Sequence, residues 1–146
     1  MKRHDSHVHF FENGFPGRYG AWFPDGQEVT VYEAFRKEHA VERALVVGFE
    51  GAPWAAGNNY TIARLASRHS WMAPVAYDAL EQVPEPVAWE AWRQRRFAGL
   101  SFYLLQPEQE AVLHSVPSAV WEVVNRWRAV ISINCVPEVA GRLRPV

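Results

Sequence analysis

Short apolar runs alternate along the chain with stretches of helical periodicity, the pattern of βαβ units built on a parallel sheet. Five runs read as strands, over residues 4–10, 43–49, 71–77, 97–104 and 129–135. Runs such as Ala44-Leu45-Val46-Val47 and Ala129-Val130-Ile131-Ser132-Ile133 are nearly continuous in apolar character, as expected of parallel strands covered on both faces. Between them the spacing predicts helices. Thr30 with Glu33 fits a capping box for one running to His39. Asn58 or Asn59 suits the cap of the next, which reaches His69. Pro86 suits the first turn of a helix over residues 85–95, Ser118 the cap of one ending at Trp127, and Pro137 the start of a last short helix. Residues 78–86 are polar and proline-bearing and read as a loop, and His114 falls in the loop after the fourth strand. No internal repeat, low-complexity tract or interdomain linker interrupts the 146 residues, so a single domain is expected.

Composition narrows the class. With 49% hydrophobic residues, seven Trp and eight Phe, the chain has ample material for a core and is not a disordered polymer. Its net charge of −1 leaves no overall cationic field for a phosphate backbone, so nucleic acid is not an expected partner. The arginines of Trp92-Arg93-Gln94-Arg95-Arg96-Phe97 read instead as the solvated end of a helix, where cations complement the dipole. The single cysteine, Cys135, has no internal disulfide partner. The first residues lack the apolar run of a signal peptide, and no window approaches the ~18 apolar residues of a membrane span, so a soluble, cytoplasmic protein is expected.

The candidate chemistry lies at the start. In Asp5-Ser6-His7-Val8-His9-Phe10-Phe11 the residues Asp5, His7 and His9 recur every second position and would share one face of a strand. Two neutral imidazoles held in this way suit a divalent ion, zinc above all. A Gly- and Pro-rich loop over residues 12–28 follows, so the pair sits at the C-terminal end of its strand, where α/β barrels carry their active sites.

The segment Asp5-Ser6-His7-Val8-His9-Phe10 resembles the first-strand metal motif of the amidohydrolase superfamily. The remainder is similar to the N-terminal part of its amidohydrolase-related branch: the Asn58-Asn59 helix opening, Trp71 through Asp78, Phe97-Ala98-Gly99-Leu100, and Val130 through Pro137. That resemblance implies a (β/α)8 barrel, here incomplete, since such barrels take ~200 residues or more. The edges at residues 4–10 and 129–135 would then need covering by further chain or by a second copy. It also implies that His7 and His9 are ligands of a divalent metal with Asp5 near the site, and that the protein is a metal-dependent hydrolase of a small organic acid, amide or lactone. A decarboxylase or lactonase on the same scaffold is the alternative, as is a catalytically silent barrel portion that needs a partner chain.

The chain departs from the family pattern in places. The fifth strand ends Ile133-Asn134-Cys135 where the family usually has a His, leaving Cys135 as a soft metal ligand or a packed side chain and Asn134 as a polar contact. His114 is the other candidate third ligand. Ser101 stands where relatives often have a basic residue, which puts a cationic substrate clamp there in doubt. In the loop after the first strand, Arg18 is the candidate anion contact for a substrate carboxylate. Trp22 beside it either packs on that substrate or plugs the top of the sheet. Glu50 and Trp54, after the second strand, face the same side.

Overall fold

The computed structural model describes residues 2–12, 14–16 and 27–143. Five strands are present: β1 (Arg3–Val8), β2 (Val41–Val47), β3 (Met72–Tyr77), β4 (Gly99–Leu104) and β5 (Val130–Cys135). They follow one another in the sheet in chain order, and every pairing whose register is described is parallel. Six α-helices accompany them: α1 (Gln27–Glu38), α2 (Asn58–Ala66), α3 (Pro86–Gln94), α4 (Pro107–His114), α5 (Ser118–Trp127) and α6 (Pro137–Ala140). This is the expected α/β fold of the incomplete (β/α)8 type. Among the described residues no helix is long and apolar enough to cross a membrane. The chain divides into two compact units, Met1–Val75 and Ala76–Val146.

In the first unit β2 lies between β1 and the start of β3, and its Ala44, Val46 and Val47 are buried. Helix α1 is attached through aromatic rings rather than an aliphatic stripe. Buried Phe10, just beyond β1, meets Tyr32 and Trp71 edge-on, and Tyr32 stacks on Trp71 at 5.3 Å between centroids. Offset and edge-on ring pairs of this kind add to the stabilisation from area burial alone. The helix begins at Gln27, three residues before the expected cap at Thr30. Glu33 is therefore no capping partner. Its Oε1 accepts from the Trp71 indole at 3.3 Å and pairs with His69 Nδ1 at 3.1 Å. Those partners, the indole first, hold the Glu33 carboxyl below its ordinary range against a smaller opposing effect of desolvation. His69 thus serves this joint, beyond any helix-dipole role, while His39 packs its ring on Phe35.

The second unit is built on β4 and β5, paired residue for residue from Gly99 with Val130 to Leu104 with Cys135. Trp89 of α3 is fully buried, stacks on Phe102 of β4 and meets Trp121 of α5 edge-on. Its indole N–H donates to Asp78 Oδ2 at 2.9 Å, while Asp78 Oδ1 accepts the Leu80 N–H, which shapes the expected loop after β3. Pro86 and Pro137 open α3 and α6 as expected, whereas Ser118 is the first helical residue of α5, behind Pro117 at the cap. Helix α4 was not expected. Pro107 supplies its first turn, and Gln109 Oε1 accepts the backbone N–H groups of Leu105 and Gln106, satisfying donors that a helix start leaves exposed.

Gly99 sets how closely the second pair of strands begins. A Cβ there would stand 1.8 Å from the Val130 carbonyl oxygen, which is rigid backbone. Gly99→Ala is expected to cost about 3 kcal/mol or more by forcing β4 and β5 apart, well above an ordinary surface change, and urea denaturation checks it. Because the folded-state pKa of Glu33 is depressed, its contribution is fully present above its unfolded value of about 4.3 and is lost as pH falls through the lower folded value. Glu33→Gln is expected to lower stability at neutral pH and to flatten the acid limb of the stability profile measured by thermal melts between pH 3 and 7.

Candidate active site at the end of the first strand

A β-bulge aims the first histidine. Asp5 pairs with Ala44 and Val8 with Val46, so β1 spends three steps where β2 spends two, and Ser6 and His7 lie within the irregularity. Bulges of this kind redirect side chains next to active sites. Inside it the His7 N–H donates to Asp5 Oδ1 at 3.0 Å. His9 lies one residue past the end of β1, and the two rings come together as expected: Nε2 of His7 is 2.9 Å from Nε2 of His9, with the rings inclined at 76°.

His9 is held from behind. Its Nδ1 lies 2.6 Å from the Val47 carbonyl oxygen at the end of β2. A carbonyl only accepts, so Nδ1 carries the proton and Nε2 presents its lone pair toward His7. Burial lowers the pKa of His9 and the neighbouring His7 lowers it further, while the bond to Val47 opposes them; the neutral ring is favoured. Phe11 stacks on the His9 ring at 5.8 Å, and Trp54 meets Phe11 edge-on at 4.9 Å, so one side of the pair is walled by aromatic carbon.

Asn58 ties the two strand ends together. It is 3% exposed, donates from Nδ2 to the Phe10 carbonyl at 2.7 Å and accepts the Phe49 N–H on Oδ1 at 3.0 Å. Instead of capping α2 as expected, it is the first helical residue, and Gly57 takes the cap position with a positive φ of 78°. Freed from capping, the side chain reaches the exits of β1 and β2 just beyond His9 and Val47. Glu50 takes over a helix-start donor, accepting the Asn59 N–H at 2.8 Å. Glu12 extends the same framework, accepting from Arg64 at 3.0 Å and from Thr61 at 3.3 Å. No motif singles out Asn58. The one available signal was an Asn following a Gly at a helix start, which reads equally well as a cap.

The other expected site residues are placed differently. Asp5 has one oxygen on the His7 amide and the other 2.7 Å from the Tyr32 hydroxyl, so it joins β1 to α1. Burial, and then that bond to Asp5, raise the Tyr32 pKa, so the phenol keeps its proton and donates. His114 is the last residue of α4 rather than a loop residue, 3.7 Å from Glu110, which also carries Arg142. Gln106 and Pro107 begin a helix that takes up what reads as loop, and His114 ends that helix beside Glu110. Cys135 is a free thiol at the end of β5, and Asn134 precedes it. Arg18 and Trp22 lie outside the described residues. Among the described residues no group of three His, Cys, Asp or Glu side chains is gathered as a metal cage.

The pair fits part of a metal shell. Two nitrogens about 2.05 Å from one cation, the usual zinc–imidazole length, and 2.9 Å from each other subtend about 90° at it. That angle suits adjacent ligands in a five- or six-coordinate shell, and a modest opening of the pair suits a tetrahedral one. The second nitrogen of His9 is already anchored on a carbonyl, as metal-bound histidines usually are.

The sequence matches no protein-family model and no curated protein. The structure, however, is similar to that of a probable 2-pyrone-4,6-dicarboxylic acid hydrolase from Acinetobacter baumannii, solved with citric acid bound, at a TM-score of 0.64 and 14% identity. The two share a fold. The match covers 98% of this chain and 53% of that one, so the chain spans about half the length of the hydrolase it resembles.

Asn58→Ala removes the side-chain partner of the Phe10 carbonyl, which is buried, and of the Phe49 N–H, which is half-buried, and is expected to cost about 2–4 kcal/mol in chemical denaturation. Asn58→Asp keeps the acceptor for Phe49 and loses the donor to Phe10, so it is expected to be destabilised while retaining slow exchange of the Phe49 amide hydrogen. Asn58→Ala should lose that protection.

Proposed function

We propose that this chain carries the first-strand portion of a metal-dependent hydrolase site acting on a small organic molecule, with a lactone, ester or amide carbonyl as the bond opened by water. The observation that carries the reading is the 2.9 Å approach of His7 Nε2 to His9 Nε2, with His9 Nδ1 seated on the Val47 carbonyl. A divalent cation bound by the two imidazoles supplies Lewis acidity toward the carbonyl and lowers the pKa of water. The protein's own part is to present two imidazole donors in a fixed orientation. Val47 selects the tautomer of His9, the bulge and Asp5 set the direction of His7, and Asn58 keeps the exits of β1 and β2 in register. Phe11 and Trp54 exclude water from one side, which strengthens electrostatic interactions at the pair.

Two donors hold a cation weakly, so further ligands would be supplied by additional barrel chain or by a partner chain. A lactone is favoured within the substrate class because the structurally similar protein is named for hydrolysis of a pyrone lactone.

Zinc binding decides the matter. In calorimetry with chelator-treated protein, the wild type is expected to take up zinc, and His7→Ala/His9→Ala is expected to bind it at least about 100-fold more weakly. Equal affinity in both proteins, or none in either, would overturn the assignment. Alongside this measurement, zinc-dependent opening of a panel of small lactones, absent in the double variant, tests the reaction class.

A further inference from the structure

The second unit holds a polar sheet face whose residues are not among those assigned to the histidine pair. Phe102 of β4 faces the helices, where it stacks on Trp89, so its neighbours Ser101 and Tyr103 face the other way. Ser132 and Asn134 of β5 lie opposite Ser101 and Tyr103 in register and share that face. Tyr77 belongs to it as well, since its ring meets that of Tyr103 at 5.6 Å. Tyr77, Ser101, Tyr103, Ser132 and Asn134 therefore form a strip of hydroxyl and amide groups where a buried sheet face would ordinarily be aliphatic.

Two groups on the strip lack partners. Ser101 is 0% exposed, and its Oγ has no hydrogen-bond partner; Asn134 Nδ2 is likewise buried without one. Leaving a buried hydroxyl or amide unsatisfied costs on the order of 1–3 kcal/mol each, so such groups in a native protein mark a place that takes in a water or a ligand. The strip also contains no cation and no carboxylate. Burial, and the neighbouring Tyr77, push the Tyr103 phenol up to about 12, so it stays neutral. A carboxylate brought here would lose its hydration with no opposite charge to offset the loss, whereas an uncharged carbonyl needs only the donors that are present.

We propose that this strip is a binding site for the uncharged, carbonyl-bearing part of a planar small molecule, with Ser101 and Asn134 as its hydrogen-bonding groups and Tyr103 as its ring contact. The site recognises an amide, ester or lactone oxygen and discriminates against a carboxylate. It stands whether or not the histidine pair binds a metal.

Benzamide and benzoate test it, because they share a planar frame and differ in charge. Each is titrated into isotopically labelled, chelator-treated protein by nuclear magnetic resonance, with the side-chain amide of Asn134 as the reporter. Benzamide is expected to move that signal and to bind at least about fivefold more tightly than benzoate. Ser101→Ala removes a hydroxyl that has no partner in the free protein, so it is expected to keep or raise the melting temperature while weakening benzamide about five- to tenfold. Asn134→Ala gives a second, independent loss of affinity. The proposal fails if neither probe shifts the Asn134 signal or if benzoate binds as tightly as benzamide. It also fails if Ser101→Ala lowers the melting temperature by several degrees, which would mean that the hydroxyl already has a structural partner. Loss of zinc binding in the His7/His9 double variant, with benzamide binding intact, separates the two sites.

Discussion

The bond from His9 Nδ1 to the Val47 carbonyl is the constraint on which the candidate site depends. It joins the residue just beyond β1 to the last residue of β2, selects one tautomer, and leaves the other ring nitrogen facing His7. A side chain on a strand terminus would otherwise sample several rotamers. The carbonyl removes that freedom in the ligand-free protein, so the ring is ordered in advance.

The rest of the first unit supports this bond from two sides. On one side the bulge, the Asp5 carboxylate and the Tyr32 hydroxyl fix β1 against α1. On the other, Asn58 ties Phe10 to Phe49, and Glu50 ties the loop after β2 to the start of α2. Apart from the Tyr32–Asp5 pair, these are hydrogen bonds between backbone groups and buried or half-buried side chains. They position without contributing ligands, which is why the carboxylates near the histidines are already engaged by structural partners.

In the second unit a different balance holds. Trp89, Phe102 and Trp121 give the helix-facing side of β4 a dense aromatic core, while the opposite side carries Tyr77, Ser101, Tyr103 and Asn134. The packed side supplies stability, and the polar side relinquishes some of it through two unsatisfied groups.

Much of the architecture was legible in the sequence because parallel strands and their crossover helices each have their own period. The five apolar runs locate all five strands to within two residues at either end, and Pro86 and Pro137 mark helix starts by removing an N–H that is free there anyway. His-x-His sets two imidazoles close together in the chain, but His7 lies in a bulge and His9 beyond β1, so the bulge and the Val47 carbonyl aim them. Positions decided by distant partners were not legible. Glu33 looked like a capping residue until Trp71 and His69, more than thirty residues away, claimed its carboxylate. Asn58 looked like a cap until the ends of two strands came within reach of its amide, and His114 looked like a loop residue because the Pro107 helix start is brief. Local backbone preference is written in neighbouring residues, so the chain by itself determined its five strands and the helices that open at Pro86 and Pro137, and set its two histidines two residues apart. Which polar groups are satisfied, and by whom, depends on contacts that exist only after the chain has closed on itself, and the tertiary structure alone decided that.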